Sequence, residues 1–259
     1  MSIVHSKFIV HWTGKDFDPE RNYSSKLMPD KIRQLYIERL IDDLKDGFYM
    51  WKGKKEERET EKIYDCEDGW LQPEISRVCF TELKLSMAGD HAKKYGLLGI
   101  GVDRDFILKR YGNPVFYVMN GKSNTIVNAR KVFNFFMDEI KKLEQVSAQD
   151  AKLRKLKGIK LEFDTLLAYF KKMNDKENEL NLYDELEWRI THLSRLEDEN
   201  LLKVIDKDNH IYRVRLTKED IKVIVFPDRE TKDVVFKYPD FLTLINNPIC
   251  VTLDDCEHF

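Results

Sequence analysis

Long apolar runs are missing from this 259-residue chain. Nothing approaches the roughly 18 consecutive apolar residues of a spanning helix, so no membrane anchor is expected. The opening residues, MSIVHSKFIVHW, hold histidine and lysine and have no apolar core of signal-peptide length, so export is not expected either. Cysteine is scarce: Cys66, Cys79, Cys250 and Cys256 are scattered without a C-x-x-C pair. That argues against a structural zinc site and a disulfide framework, no metal site is expected, and free thiols fit the reducing cytoplasm. Charge of one sign is lacking too. With a formal net charge of −2, no global field draws the chain to nucleic acid or membrane, and any such binding is local. G-x-S-x-G, H-E-x-x-H and a Walker loop are all absent, and Gly99-Ile100-Gly101 lacks the third glycine of a dinucleotide fingerprint. Without an internal repeat or a low-complexity linker, residues 1–259 read as a single domain.

What is present is a core-forming composition: 42% hydrophobic, 12% aromatic and 35% charged residues, the profile of a soluble protein with a substantial core. The stretch from Arg77 to Val118 is the densest part, with three short β-like runs and two short helical runs. In Val78–Thr81 all but Cys79 are β-branched or aromatic, and the run is too short for a helix. In Leu97–Val102, Leu98, Ile100 and Val102 point one way and Gly99 and Gly101 the other. A glycine face on a strand invites a close approach, either by a helix lying flat on the sheet or by a ligand against bare backbone. Pro114–Val118 follows an Asn113-Pro114 turn signal.

Before this stretch, Lys7–Thr13 reads as a first strand closed by Gly14. His11 near its end either donates to a ligand hydroxyl or caps a turn. From Pro29 to Leu44, Ile32, Leu35, Tyr36, Leu40 and Leu44 recur at helical spacing, with Gly47 just past the end. An irregular segment follows from Phe48 to Ser76, including the charge run KGKKEERETEK, which reads as a solvated loop.

After the central stretch, Ile126, Ala129, Phe133, Phe136, Met137, Ile140 and Leu143 mark a long amphipathic helix, and a second runs from about Asp150 to Met173. Together they form an inserted helical hairpin over 122–175. It is locally basic, and Lys152, Arg154, Lys155 and Lys157 are candidate contacts for an RNA or DNA phosphate backbone; the other reading is a solvated outer face. In Leu182–Ile190, read as a strand, Glu185 and Glu187 project to one face with Arg189. Adjacent carboxylates need a cation, a proton or a ligand. Arg189 is the structural answer, and a catalytic glutamate beside a second one is the functional answer. His91 and Tyr95, one helical turn apart, either face a site together or pack beneath the central strand. The rest of the chain offers strands at Leu201–Ile205, Ile211–Val214, Ile221–Phe226 and Pro248–Leu253, with a short helix at Pro239–Ile245.

Arg77-Val-Cys-Phe-Thr-Glu82, His91 with Tyr95-Gly96, the Gly-Ile-Gly strand, Asn113-Pro114-Val115 with Tyr117, and Glu185-Leu-Glu-Trp-Arg189 resemble the AbiGi family of abortive phage-infection proteins. The resemblance runs from His11 to about Leu253 and implies a role in bacterial phage defence, as the antitoxin of a toxin–antitoxin pair. A more distant likeness is to the ADP-ribosyltransferases: a strand ending His-x-Thr-Gly, a helix closing Leu-x-x-Gly-Phe, the Val-Cys-Phe-Thr-Glu strand, and Glu-x-Glu. It implies an α+β fold with a split, mixed or antiparallel sheet, flanking helices and the inserted hairpin, and it makes NAD the substrate. Carried over, His11, with Thr13 and Gly14, meets the adenosine ribose, and Phe80 and Thr81 lie by the nicotinamide. His91 and Tyr95 complete the cofactor side, and Glu187 or Glu185 is catalytic. A carboxylate facing an oxocarbenium-like ribose stabilises that transition state. The chain departs from the pattern at Phe80, where a hydroxyl-bearing ring is usual, and has no evident glycine-rich NAD loop. Two functions follow as expectations. One is a cytoplasmic NAD-dependent transferase toxin modifying a nucleic acid or protein; the other is a non-catalytic antitoxin that binds a cognate partner.

Overall fold

In a computed structural model of the chain, residues 8–18, 28–50, 52, 75–82, 84–118, 124–146, 151–172, 174–175, 180–181 and 186–257 are described. The chain divides into two compact units, one of residues 1–50, 78–113 and 186–259, the other of residues 51–77 and 114–185.

The first unit opens with strand β1 (Phe8–Thr13) and helix α1 (Asp30–Asp46). Asp30 in the first turn and Lys45 in the last complement the helix dipole, and Gly47, at φ 93, ends the helix where a side chain would strain the backbone. Tyr36, Ile37, Leu40 and Leu44 form its buried face, close to the stripe read from the sequence. Strand β2 (Phe48–Met50) follows at once, within the segment expected to be irregular: Phe48 and Met50 are both buried, and Tyr49 between them points out. Then come β3 (Arg77–Thr81), α2 (Ala88–Tyr95), β4 (Leu98–Asp103), α3 (Arg104–Leu108) and the two-residue β5 (Asn113–Pro114). Asp103 caps α3 by accepting from the Phe106 N–H at 2.9 Å.

The described part of the second unit includes four short strands and a helical hairpin. Strand β6 (Phe116–Val118) precedes the long helices α4 (Asn124–Val146) and α5 (Ala151–Leu167). Helix α5 stops at Leu167, six residues short of the expected end, because Phe170–Lys172 instead forms β7 and pairs in parallel with β6, Phe116 opposite Phe170. Strands β8 (Asn174–Asp175) and β9 (Leu180–Asn181) pair antiparallel.

The remainder of the first unit comprises β10 (Glu187–Thr191), α6 (Ser194–Asp198), β11 (Leu202–Asp206), β12 (Ile211–Val214), β13 (Ile221–Phe226), α7 (Arg229–Val235), β14 (Ile249–Thr252) and α8 (Leu253–Cys256). The strand expected from Leu182 is observed from Glu187; Glu185 lies outside the described residues. Helix α7 went unread, although Asp228 is a usable start signal and accepts from the Thr231 N–H at 2.6 Å. The short helix expected at Pro239–Ile245 is a single 3-10 turn at Phe241–Thr243.

A seven-stranded sheet runs in the order β14-β13-β4-β1-β3-β10-β5. It is mixed: β13 and β14 are parallel, while β13–β4, β4–β1 and β1–β3 are antiparallel. A smaller antiparallel sheet runs β11-β12-β2. The fold is thus α+β. Strand β4 sits deep inside the large sheet, and its glycine face is filled by neighbouring strands. A Cβ on Gly101 would lie 2.2 Å from Val223 Cγ1, and one on Gly99 would lie 2.9 Å from the Trp12 ring. Side chains from β1 and β13 lean across the bare backbone and occupy the space that the sequence left open for a helix or a ligand.

Candidate functional site

The His-x-Thr-Gly end of β1 is a junction between strand and helix. His11 Nδ1 donates to the Cys79 carbonyl at 2.8 Å, since a carbonyl only accepts. Its ring packs on Phe48 and Phe80, with centroids 5.0 and 5.6 Å away. Burial, and then the charge of Arg39, push its pKa down to about 4 against the backbone hydrogen bond, so the imidazole is neutral at physiological pH. Thr13 Oγ1 accepts from Arg39 Nη1 at 2.7 Å, and Arg39 Nη2 reaches Asp16 at 2.6 Å. Gly14, at φ 114, lies over Tyr36, whose Cε1 would be 2.2 Å from an added Cβ. The Tyr36 hydroxyl donates to Asp18 at 2.8 Å and accepts from the Leu97 N–H at 3.2 Å. The contacts these residues make are with the fold itself.

Glu187 is buried and accepts from Arg189 Nε at 2.6 Å; Arg189 is buried too. This is the structural pairing allowed by the spacing. The sheet also separates this pair from the imidazole. Val10 is the register partner of Thr81, so by alternation His11 shares a face with Phe80, as their ring contact shows, while Thr81 lies on the other. Trp188 Nε1 donates at 2.9 Å to Glu82, which alternates onto the Phe80 side. Glu187 and Arg189, flanking Trp188, therefore project to the face opposite His11. The structure brings His11, Thr13 and Phe80 together on one face and leaves Thr81 and Glu187 on the reverse. On α2, buried His91 and half-buried Tyr95 are neighbours, with ring centroids 6.2 Å apart.

Two polar clusters were not singled out from the sequence. In the first, Glu82 bridges Arg104 Nη2 at 2.6 Å and Trp188 Nε1, with the guanidinium carbon 5.6 Å from the indole centre. In the second, Arg213 lies 3.8 Å over the Tyr49 ring, donates to the Gly47 carbonyl at 2.9 Å and pairs with Asp42. Asp43 sits 3.9 Å from Arg213 and is almost fully buried; burial outweighs the nearby Arg39 and Arg213 and pushes its pKa up to about 7. The adjacent Asp42-Asp43 pair was the only sequence signal for this cluster. Beside it runs a groove of about 250 Å³ lined by Ile37, Glu38, Ile41, Asp42, Lys45 and Tyr238. Small-molecule sites usually occupy roughly 300–1,000 Å³.

In the second unit, Lys152, Arg154, Lys155 and Lys157 are exposed on α5. Lys157 pairs with Glu144 of α4 at 2.7 Å.

A family model described as "Putative abortive phage resistance protein AbiGi, antitoxin" matches residues 57–227, about two thirds of the chain. The matched stretch contains Phe80, Thr81, His91, Tyr95, Glu185 and Glu187 and the basic hairpin, and begins after His11, Thr13 and Gly14. No curated protein and no solved structure matches the chain. Among the described residues, no helix is long and apolar enough to cross a membrane.

Proposed function

The chain belongs to the AbiGi family of abortive phage resistance proteins, and from that premise we propose that it acts as a non-catalytic, partner-binding antitoxin in phage defence. The observation that carries this reading is the placement of Glu187. A glycosyl-transfer carboxylate has to face the reacting ribose. Glu187 instead neutralises Arg189 inside the protein, on the sheet face opposite His11.

Growth under co-expression tests the reading. The antitoxin restores growth to cells carrying its cognate toxin and leaves cells unaffected when expressed alone. Growth arrest by the chain alone contradicts it. The NAD-dependent transferase reading is tested by labelled ADP-ribose transfer to protein and nucleic-acid acceptors. The expected result is no transfer by wild type; transfer abolished by Glu187→Gln in a folded protein reinstates that reading.

A further inference from the structure

Asp43 is the buried carboxylate of α1, 1% exposed, and its Oδ2 meets no hydrogen-bond partner. An ionised carboxylate does not stay in such a place without a cation, because burial takes away the water that would otherwise hold its charge. Charged groups face it from several elements. Arg39 and Asp42 come from α1 itself, Arg213 from β12 and Asp16 from the turn after β1. Lys203 of β11 is spent on Asp46 at 2.5 Å, and Asp228 and Glu230, at the start of α7, pair with Arg33 at the other end of α1. His11 of β1 is neutral at physiological pH and also feels the charge of Arg39. Tyr49 of β2 lies against the Arg213 guanidinium.

Two cations are therefore in range, and one of them can move. Arg213 donates from Nη1 to the Gly47 and Asp42 carbonyls at 2.9 and 3.4 Å and from Nη2 to the Asp42 carboxylate, and it lies flat on the Tyr49 ring. Its Nη1 stops 3.9 Å from Asp43 Oδ1. Arg39 stands four residues before Asp43 on the same helix, the spacing at which side chains meet. Its present partners are Asp16 at 2.6 Å, Thr13 Oγ1 at 2.7 Å and the Phe17 ring at 5.3 Å. Asp16 is 52% exposed, and an ion pair so exposed contributes little. An unpaired buried carboxylate is among the costliest groups a fold can hold, so the exchange favours Asp43 once it is charged. Burial pushes Asp43 up to about 7 against the charges of Arg39 and then Arg213, which puts the loss of its proton around neutral pH.

We propose that Asp43 and Arg39 form a pH-operated latch on the turn of residues 14–18. With a proton on Asp43, Arg39 holds the turn through Asp16 and Thr13. When that proton passes to solvent, Arg39 swings along α1 to pair with Asp43, and the turn is released. Hydrogen bonds and ion pairs exchange, and the O–H of Asp43 is the one covalent bond that breaks. The latch stands apart from the partner-binding reading, since it needs neither toxin nor partner.

Amide hydrogen exchange on the full chain tests the latch. The Asp18 and Phe17 N–H groups donate to the Gly14 carbonyl at 2.9 and 3.3 Å and report on the turn. After correction for intrinsic exchange, their protection in wild type falls about tenfold from pH 6 to pH 8, while amides of β4 and β13 keep theirs. Asp43→Asn, which keeps the shape of the carboxyl and cannot ionise, holds the pH 6 protection at both pH values. Asp16→Asn, at an exposed position, shows the released level already at pH 6. Protection of Phe17 and Asp18 that is constant in wild type, or that falls equally in Asp43→Asn, overturns the proposal. So does a fall shared by β4 and β13, which is general loosening, or one confined to β2 and β12, which means that Arg213 answers the charge. Full protection at pH 6 in Asp16→Asn also overturns it, because Arg39 then does not hold the turn.

Discussion

His11 and Asp43 are two buried groups whose burial disfavours the charged form, with opposite consequences for the pH dependence of stability. With a folded pKa of about 4, His11 binds fewer protons in the native state than in the unfolded chain, so its contribution is present above about pH 6.5 and is lost as pH falls toward 4. Asp43, raised to about 7, binds more protons when folded; its contribution is present below its ordinary carboxylate pKa and is lost as pH rises toward 7. Over the window from about 4 to 6.5 the two slopes cancel. Relative to wild type, His11→Gln therefore loses stability with rising pH across that window, by about 1.4 kcal/mol per pH unit, and Asp43→Asn gains it at the same rate. Urea denaturation at a series of pH values measures both; parallel curves for wild type and variants contradict the assignment. Glu187 poses a different residue-scale question. Removing it by Glu187→Ala takes away the carboxylate that accepts from the buried Arg189 and is expected to cost about 1–3 kcal/mol in the same assay. A change within a few tenths of a kcal/mol would mean that the carboxylate is free for other work.

At the scale of elements, β4 shows where close packing replaces a side chain. Gly101→Ala places its Cβ against Val223 and is expected to cost about 1–3 kcal/mol. Combined with Val223→Ala, which removes the clashing methyl groups, the loss falls below the sum of the two single losses, a coupling that a double-mutant cycle reads directly. Strict additivity would place the close approach elsewhere. The same strand illustrates what the sequence discloses. Alternation of Leu98, Ile100 and Val102 with the two glycines identifies strand and faces correctly. It does not say whether a helix, a ligand or neighbouring side chains fill the bare face, since that depends on the register of β1 and β13, segments distant in sequence. Helix α1 is legible because its apolar spacing and Gly47 are local. The β7 pairing is not, because Phe170–Lys172 is drawn out of the helical pattern by Phe116–Val118, more than fifty residues earlier. The Glu187–Arg189 pair is likewise legible as a spacing, and the face it occupies is set only by the neighbouring strands.

At the scale of the whole molecule, family membership and the buried state of Glu187 both support the proposed partner-binding reading. The family match spans residues 57–227 and so includes the α4–α5 hairpin, on which Phe135 and Leu166 are exposed. The first unit supplies a mixed sheet whose polar side chains at β1 and β10 are spent on internal contacts. Co-expression with the cognate toxin, scored by growth at matched protein levels, tests the partner-binding reading most directly. Wild type and Glu187→Gln are expected to restore growth alike; the account is contradicted if Glu187→Gln abolishes rescue in a folded protein, or if wild type on its own arrests growth.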